Sequence, residues 1–103
     1  MINLIRHIVM WKVKEKALGR SKEENIEEIK VMLENLKNEI PELKEIEVGI
    51  DIPSLTGSHD IVLYTVFEDE KGLDIYQKHP KHVEVAQFIR QVVTDRACVD
   101  YNI

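Results

Sequence analysis

Ile46-Glu-Val-Gly-Ile-Asp-Ile52, Pro53-Ser-Leu-Thr-Gly-Ser58 and Asp60-Ile-Val-Leu-Tyr-Thr-Val-Phe67 decide the fold of this chain. Ile46, Val48, Ile50 and Ile52 alternate with Glu45, Glu47, Gly49 and Asp51. That period of two marks a strand with one wet face, and its charges suit a sheet edge. The Pro/Ser/Gly run that follows is a loop. Asp60 to Phe67 is β-branched and aromatic, apolar on both faces, as a central strand is. Two strands therefore follow one another with no helix between them.

Working outward to the N-terminus, Pro41 stops a helix at or before Ile40. Ser21 is its N-cap, and Glu24 stands three residues on, as in a capping box. Glu23 and Glu24 suit the positive end of the helix dipole. Ile26, Ile29, Leu33, Leu36 and Ile40 form one apolar stripe at spacings of three and four. Burial of each would contribute about 1.5–3 kcal/mol. Lys14 to Arg20 reads as a loop broken at Gly19, and Ile2 to Val13 as a first strand. Ile5, Val9, Trp11 and Val13 share one face of it with His7, while Leu4, Ile8 and Met10 share the other with Arg6 and Lys12.

Working outward to the C-terminus, Glu68 to Gly72 is a turn and Leu73 to Lys78 a short helix. His79-Pro80 interrupts it, and Pro80 suits the first position of a new helix. Val83, Ala86, Ile89 and Val93, with Val85, Phe88 and Val92 beside them, predict a broadly buried helix. Asp95 to Ile103 is a last strand. The order is β-α-β-β-α-β: an α+β, ferredoxin-like four-stranded antiparallel sheet with its helices on one face. The other sheet face, apolar on the first and third strands, would be bare in a monomer. A face of that kind marks an interface, and a two-fold homodimer through it is expected.

The chain has 103 residues, 44% hydrophobic and 32% charged, which predicts one domain spanning 1–103. The net charge of −5 and the lack of a dense Lys/Arg cluster argue against nucleic acid. One cysteine, Cys98, allows neither an internal disulfide nor a cysteine-based zinc motif, and reads as a small buried strand residue. No apolar run is long enough to span a bilayer, and the N-terminus lacks signal-peptide features, so no membrane partner and a cytoplasmic location are expected.

Chemistry concentrates in Tyr76-Gln-Lys-His-Pro-Lys-His82, with two of the four histidines in seven residues. A histidine of near-neutral pKa moves protons, and a tyrosine hydroxyl orients a carbonyl oxygen. The plainer reading is that His79 and His82 brace the helix junction at Pro80. His7 is either a pocket group near His82 or a core histidine satisfied by a backbone or tyrosine partner. A mixed site of His59, Asp60, His79 and His82 lacks any known zinc spacing, so no metal and no cofactor are assigned.

Arg6-His-Ile-Val-Met-Trp-Lys-Val13, Asp60-Ile-Val-Leu63 with Phe67-Glu68, Tyr76-xx-His-Pro-x-His82 and Val99-Asp-Tyr101 together resemble the stress-responsive A/B barrel (Dabb) domain. The resemblance covers almost the whole chain and implies a dimeric α+β barrel. Most of that family has no assigned activity. One plant branch is a polyketide cyclase whose tyrosine and histidine match Tyr76 and His82, and whose pocket histidine on the first strand matches His7. Its further histidine on the third strand falls where this chain has Ile61. Three functions stay open: a homodimeric barrel of unassigned biochemical activity with room for a small apolar molecule between sheet and helices, a cofactor-independent cyclase or lyase using His82, Tyr76 and His7, and a structural protein whose barrel is filled by its own side chains.

Overall fold

The computed structural model describes residues 4–103. Four strands, β1 (Ile5–Val13), β4 (Glu45–Ile50), β5 (Ile61–Phe67) and β6 (Val93–Asn102), form one antiparallel sheet in the order β4-β5-β1-β6. Helices α1 (Lys22–Glu39), α2 (Glu70–Lys78) and α3 (Pro80–Val92) cover one face. The ferredoxin-like α+β fold expected from the strand and helix periods is the one observed. The Ile46–Ile52 strand is an edge and the Asp60–Phe67 strand is central, as their patterns require. Ile2 and Asn3, assigned to the first strand from sequence, lie outside the described residues.

Each assignment has a local cause. Ser21 Oγ accepts from the Glu24 amide at 3.2 Å, and Glu24 Oε1 accepts from the Ser21 amide at 2.9 Å, a complete capping box. The stripe Ile26, Ile29, Leu33, Leu36, Ile40 is buried throughout. It packs over Val9, Trp11 and Val13 of β1, Val48 of β4, and Ile61, Leu63 and Phe67 of β5. Asp60 ties three elements at one end of the sheet. Its Oδ2 accepts from the Val13 amide at 2.7 Å, and its Oδ1 pairs with Lys22 Nζ at 3.2 Å.

Three expectations need correction. The Lys14–Arg20 loop contains a hairpin, β2 (Lys16–Ala17) with β3 (Arg20–Ser21). Its two-residue turn has φ of 54° at Leu18 and 73° at Gly19, the primed geometry that fits strand twist. Asn25 Nδ2 donates to the Ala17 carbonyl at 3.1 Å and fastens this hairpin to α1. Second, α2 begins at Glu70, inside the expected turn, because Asp69 Oδ1 caps it through the Gly72 amide at 2.8 Å. Third, α3 is not broadly buried. Val85, Ile89 and Val92 are enclosed, Val83 is 39% exposed, and Val93 belongs to β6.

The face away from the helices carries Ile8 and Met10 of β1, Val62 and Tyr64 of β5, and Ala97, Val99 and Tyr101 of β6. Met10 and Val99 are 37% and 54% exposed. Arg6 donates to the Tyr64 hydroxyl at 2.8 Å on this face, next to Tyr101. Among the described residues, no helix is long and apolar enough to cross a membrane.

Candidate functional site

The joint between α2 and α3 builds the site. The His79 amide donates to the Tyr76 carbonyl at 3.2 Å and ends α2. The His79 imidazole Nδ1 accepts from the Lys81 amide at 3.1 Å and caps α3, whose first residue is Pro80. The chain thus reverses over one residue, and His82 folds back onto Tyr76 with ring centroids 4.5 Å apart. Below, the Tyr76 ring packs on Phe67 at 4.9 Å and meets the His7 ring edge-on at 6.3 Å. The three residues singled out from sequence, His7, Tyr76 and His82, are therefore brought together from β1, α2 and α3.

Their environments differ. His82 Nδ1 lies 3.2 Å from the Gln77 carbonyl, which only accepts, so Nδ1 carries the hydrogen and Nε2 holds the free lone pair. Burial holds the His82 pKa below its ordinary 6.5, and the nearby His7, Arg96 and Arg90 add to this against the Gln77 bond. His82 is thus a neutral base at pH 7. It also braces the helix joint, so the plainer reading of this residue and the chemical one describe the same geometry. Tyr76 is fully enclosed, its hydroxyl has no hydrogen-bond partner among the described residues, and burial raises its pKa above 10, keeping the proton on. His7 is buried and hydrogen-bonded through Nδ1 to Asp100 Oδ1. Its partner is a carboxylate, where sequence had suggested a backbone or tyrosine group. Thr65 Oγ1 donates to the His7 carbonyl at 2.7 Å and fixes that strand position.

A cavity of about 510 Å³ lies between sheet and helices beside these residues. Its wall includes His7, Trp11, Leu33, His82, Ala86 and Arg96. Tyr76 stands behind this wall and does not line it. Tyr64 lies on the opposite face of the sheet and does not fill this space. His59 bonds Ser58, Asp60 bonds Val13, and His79 bonds Lys81, so the mixed His59/Asp60/His79/His82 metal set does not assemble.

Two residues here escaped the sequence reading. Asp100 stands opposite His7, and Cys98 opposite Val9, both on the helix-side face of β6. Cys98 is exposed where burial was expected, because β6 is an edge strand and the helices stop short of it. Partial shielding and the negative charge of Asp100 push its thiol pKa up.

The chain matches the stress responsive A/B barrel domain over residues 5–103. It belongs to that family. Among solved structures it is similar to a dimeric protein of unknown function and ferredoxin-like fold from Bacteroides fragilis. That pair is 28% identical, covers 97% of this chain and 96% of the other, and has a TM-score of 0.86. A dimeric ferredoxin-like protein of unknown function from Thermobifida fusca is 26% identical, with 100% and 93% covered and a TM-score of 0.84. A hydroxynitrile lyase from Passiflora edulis shares the fold at 22% identity, with 97% and 93% covered and a TM-score of 0.81. No curated protein matched. The family assigned from the four motifs and that assigned by the match are the same, and several of the similar structures are described as proteins of unknown function.

Proposed function

We propose that this single-domain A/B barrel protein binds a small, largely apolar carbonyl compound in the cavity and acts on it by proton transfer, as a lyase or cyclase. The observation that supports this is a 510 Å³ space walled by apolar side chains with two imidazoles converging on it. Ligand sites are of this size and composition, with few and well-placed polar groups. His82, neutral and with Nε2 unengaged, is the base. His7, held by Asp100, is the second proton carrier. Tyr76 keeps its hydrogen; lying behind the wall, it would reach a ligand oxygen only if the His82 ring, 4.5 Å away between centroids, moved aside. The loss or transfer of a proton next to a carbonyl needs a base and an oxygen-stabilising donor, the roles proposed for His82 and Tyr76. A protein that shares this fold, from Passiflora edulis, is a hydroxynitrile lyase, which supports the lyase reading.

Trp11, the chain's one tryptophan, lines the cavity and reports on occupancy. Titration with benzaldehyde, acetophenone and a linear diketone should give a saturable change in its emission. Ala86→Phe, which fills the cavity, should abolish that change. Incubation with mandelonitrile, read as benzaldehyde release, tests the lyase chemistry, which His82→Ala should lower at least about 100-fold. No saturable signal with any of these compounds would refute the binding reading.

The assembly proposed with it is a homodimer through the bare sheet face, supported by the exposed Met10, Val99 and Tyr101 and by neighbours described as dimeric. Light scattering should give about twice the chain mass of 12.0 kDa, and Val99→Asp should return it to that of one chain.

A further inference from the structure

We propose that His7 Nδ1, Cys98 Sγ and Asp100 Oδ1 bind a divalent ion of the zinc type. Among the described residues, theirs is the one group of three or more His, Cys, Asp or Glu side chains whose ligand atoms converge within 4.8 Å of one another. The antiparallel register of β1 and β6 creates it. His7 faces Asp100, and Cys98 lies two positions along the same face.

The spacing fits a tetrahedral ion. With metal–nitrogen and metal–oxygen bonds of about 2.0–2.2 Å and a metal–sulfur bond of about 2.3 Å, the edges of such a site are about 3.3–3.7 Å. Cys98 Sγ stands 3.7 Å from His7 Nδ1 and 3.8 Å from Asp100 Oδ1, so the sulfur is already at the distance required. The nitrogen and carboxylate oxygen, in hydrogen-bond contact, have to part by about an ångström. The Asp100 side chain is 47% exposed on an edge strand and is free to swing, whereas His7 is buried and stays. On binding, the ion takes the place of the proton between His7 and Asp100, and the thiol releases its own proton to solvent. Imidazole, thiolate and carboxylate together favour zinc over magnesium or calcium, which take oxygen ligands.

Three protein ligands leave a fourth position for water, the arrangement of catalytic zinc sites. It lies between two recesses. His7 lines the cavity described above, Asp100 lines a neighbouring recess of about 670 Å³, and Gln77 lines both. The inference goes beyond the proton-transfer reading and does not depend on it: the ion takes Nδ1 of His7 and its bond to Asp100, so in the metal-loaded chain His7 is a ligand and no proton carrier, and His82 is untouched.

Cobalt(II) is the probe. Titrated into the chelator-treated chain, it should bind at one equivalent and give a thiolate-to-cobalt charge-transfer band with the visible bands of a tetrahedral ion. Zinc should displace it. Cys98→Ser should remove the charge-transfer band, and Asp100→Asn should weaken binding at least about tenfold, the smallest effect expected of a direct ligand. Both side chains are exposed, so both variants should fold. His82→Ala should bind cobalt as the parent does. Absence of the charge-transfer band, or equal affinity in the parent, Cys98→Ser and Asp100→Asn, would overturn the proposal. Trp11 emission with carbonyl ligands in the chelated protein reads the cavity separately, so the two proposals fail independently.

Discussion

Replacing Tyr76 by phenylalanine removes one oxygen from the centre of the molecule, and the structure predicts that the protein becomes more stable. The ring keeps its partners: Phe67 at 4.9 Å, His82 at 4.5 Å and His7 at 6.3 Å between centroids. What goes is a hydroxyl that is enclosed and bonded to no described residue. In the unfolded chain that hydroxyl is hydrated. Taking it out of water without a new bond costs about 1–3 kcal/mol. Its deletion should recover most of this, less a few tenths for lost contacts of the oxygen itself. The expected gain is about 1–2 kcal/mol, or about 4–8 °C in Tm per kcal/mol for a chain of this length. Urea denaturation at fixed protein concentration measures it, with an unchanged m-value as the check that the denatured state has not moved. If the hydroxyl is the ligand's hydrogen-bond donor, the same variant should bind carbonyl ligands about tenfold more weakly, the equivalent of about 1.4 kcal/mol. Stability and binding would then move in opposite directions, as they do where a polar group is kept for function. A loss of 1 kcal/mol or more on Tyr76→Phe would show that the hydroxyl is bonded in solution, and the reasoning would fail.

Leu33 sits in the buried stripe of α1 but also borders the cavity, so Leu33→Ala should cost about 2–3 kcal/mol, the lower part of the range for core leucines, whereas Ile29→Ala, closed in on all sides, should cost about 4 kcal/mol. Equal costs in chemical denaturation would mean that the space beside Leu33 is not there in solution. Ser21→Ala breaks the capping box and should lower stability by about 1 kcal/mol, with most of that loss absent when Glu24 has already been replaced by alanine. The folded-state pKa of His82 lies below its ordinary 6.5, so the unfolded chain binds the proton more readily, and stability should fall as pH drops from 6.5 through the folded-state value. An NMR titration giving a His82 pKa above 6.5 would contradict this, and His82→Gln should flatten that part of the pH profile.

Periodicity carried most of the fold because helices and strands stamp different repeats on one chain. The Ile26-to-Ile40 stripe and the Ile46-to-Ile52 alternation each name an element without reference to any other. The hairpin at Leu18-Gly19 was hidden because a leucine at positive φ is not signalled by residue type. The exposure of Val83 was hidden for a different reason. Apolar spacing shows which residues share a helix face, not how far that face is covered: Val85 and Ile89 turn inward and are buried, whereas Val83 lies away from them and is exposed. The meeting of Tyr76 and His82 was legible because only five residues, one of them a proline, lie between them. The His7–Asp100–Cys98 cluster was not, since its members lie 91 and 93 positions from His7. Only the pairing register of β1 and β6 brings them together, and a shift of one residue would turn Asp100 and Cys98 to the other face.

His79 closes one helix and opens the next, with no loop between them. In mechanical terms this is an elbow bracket, not a hinge. Pro80 removes the helical option for the residue before it, and His79 accordingly sits at φ −63° and ψ 135°, in the extended region. The angle between α2 and α3 is then held by a single restrained residue, and the opening of the cavity is set with it. A jaw of this build does not reshape itself around a guest. A ligand of the kind proposed would be admitted by fixed dimension, and a change of ligand in a relative would come through wall residues such as Ala86 and Leu33 or through an insertion at the elbow itself.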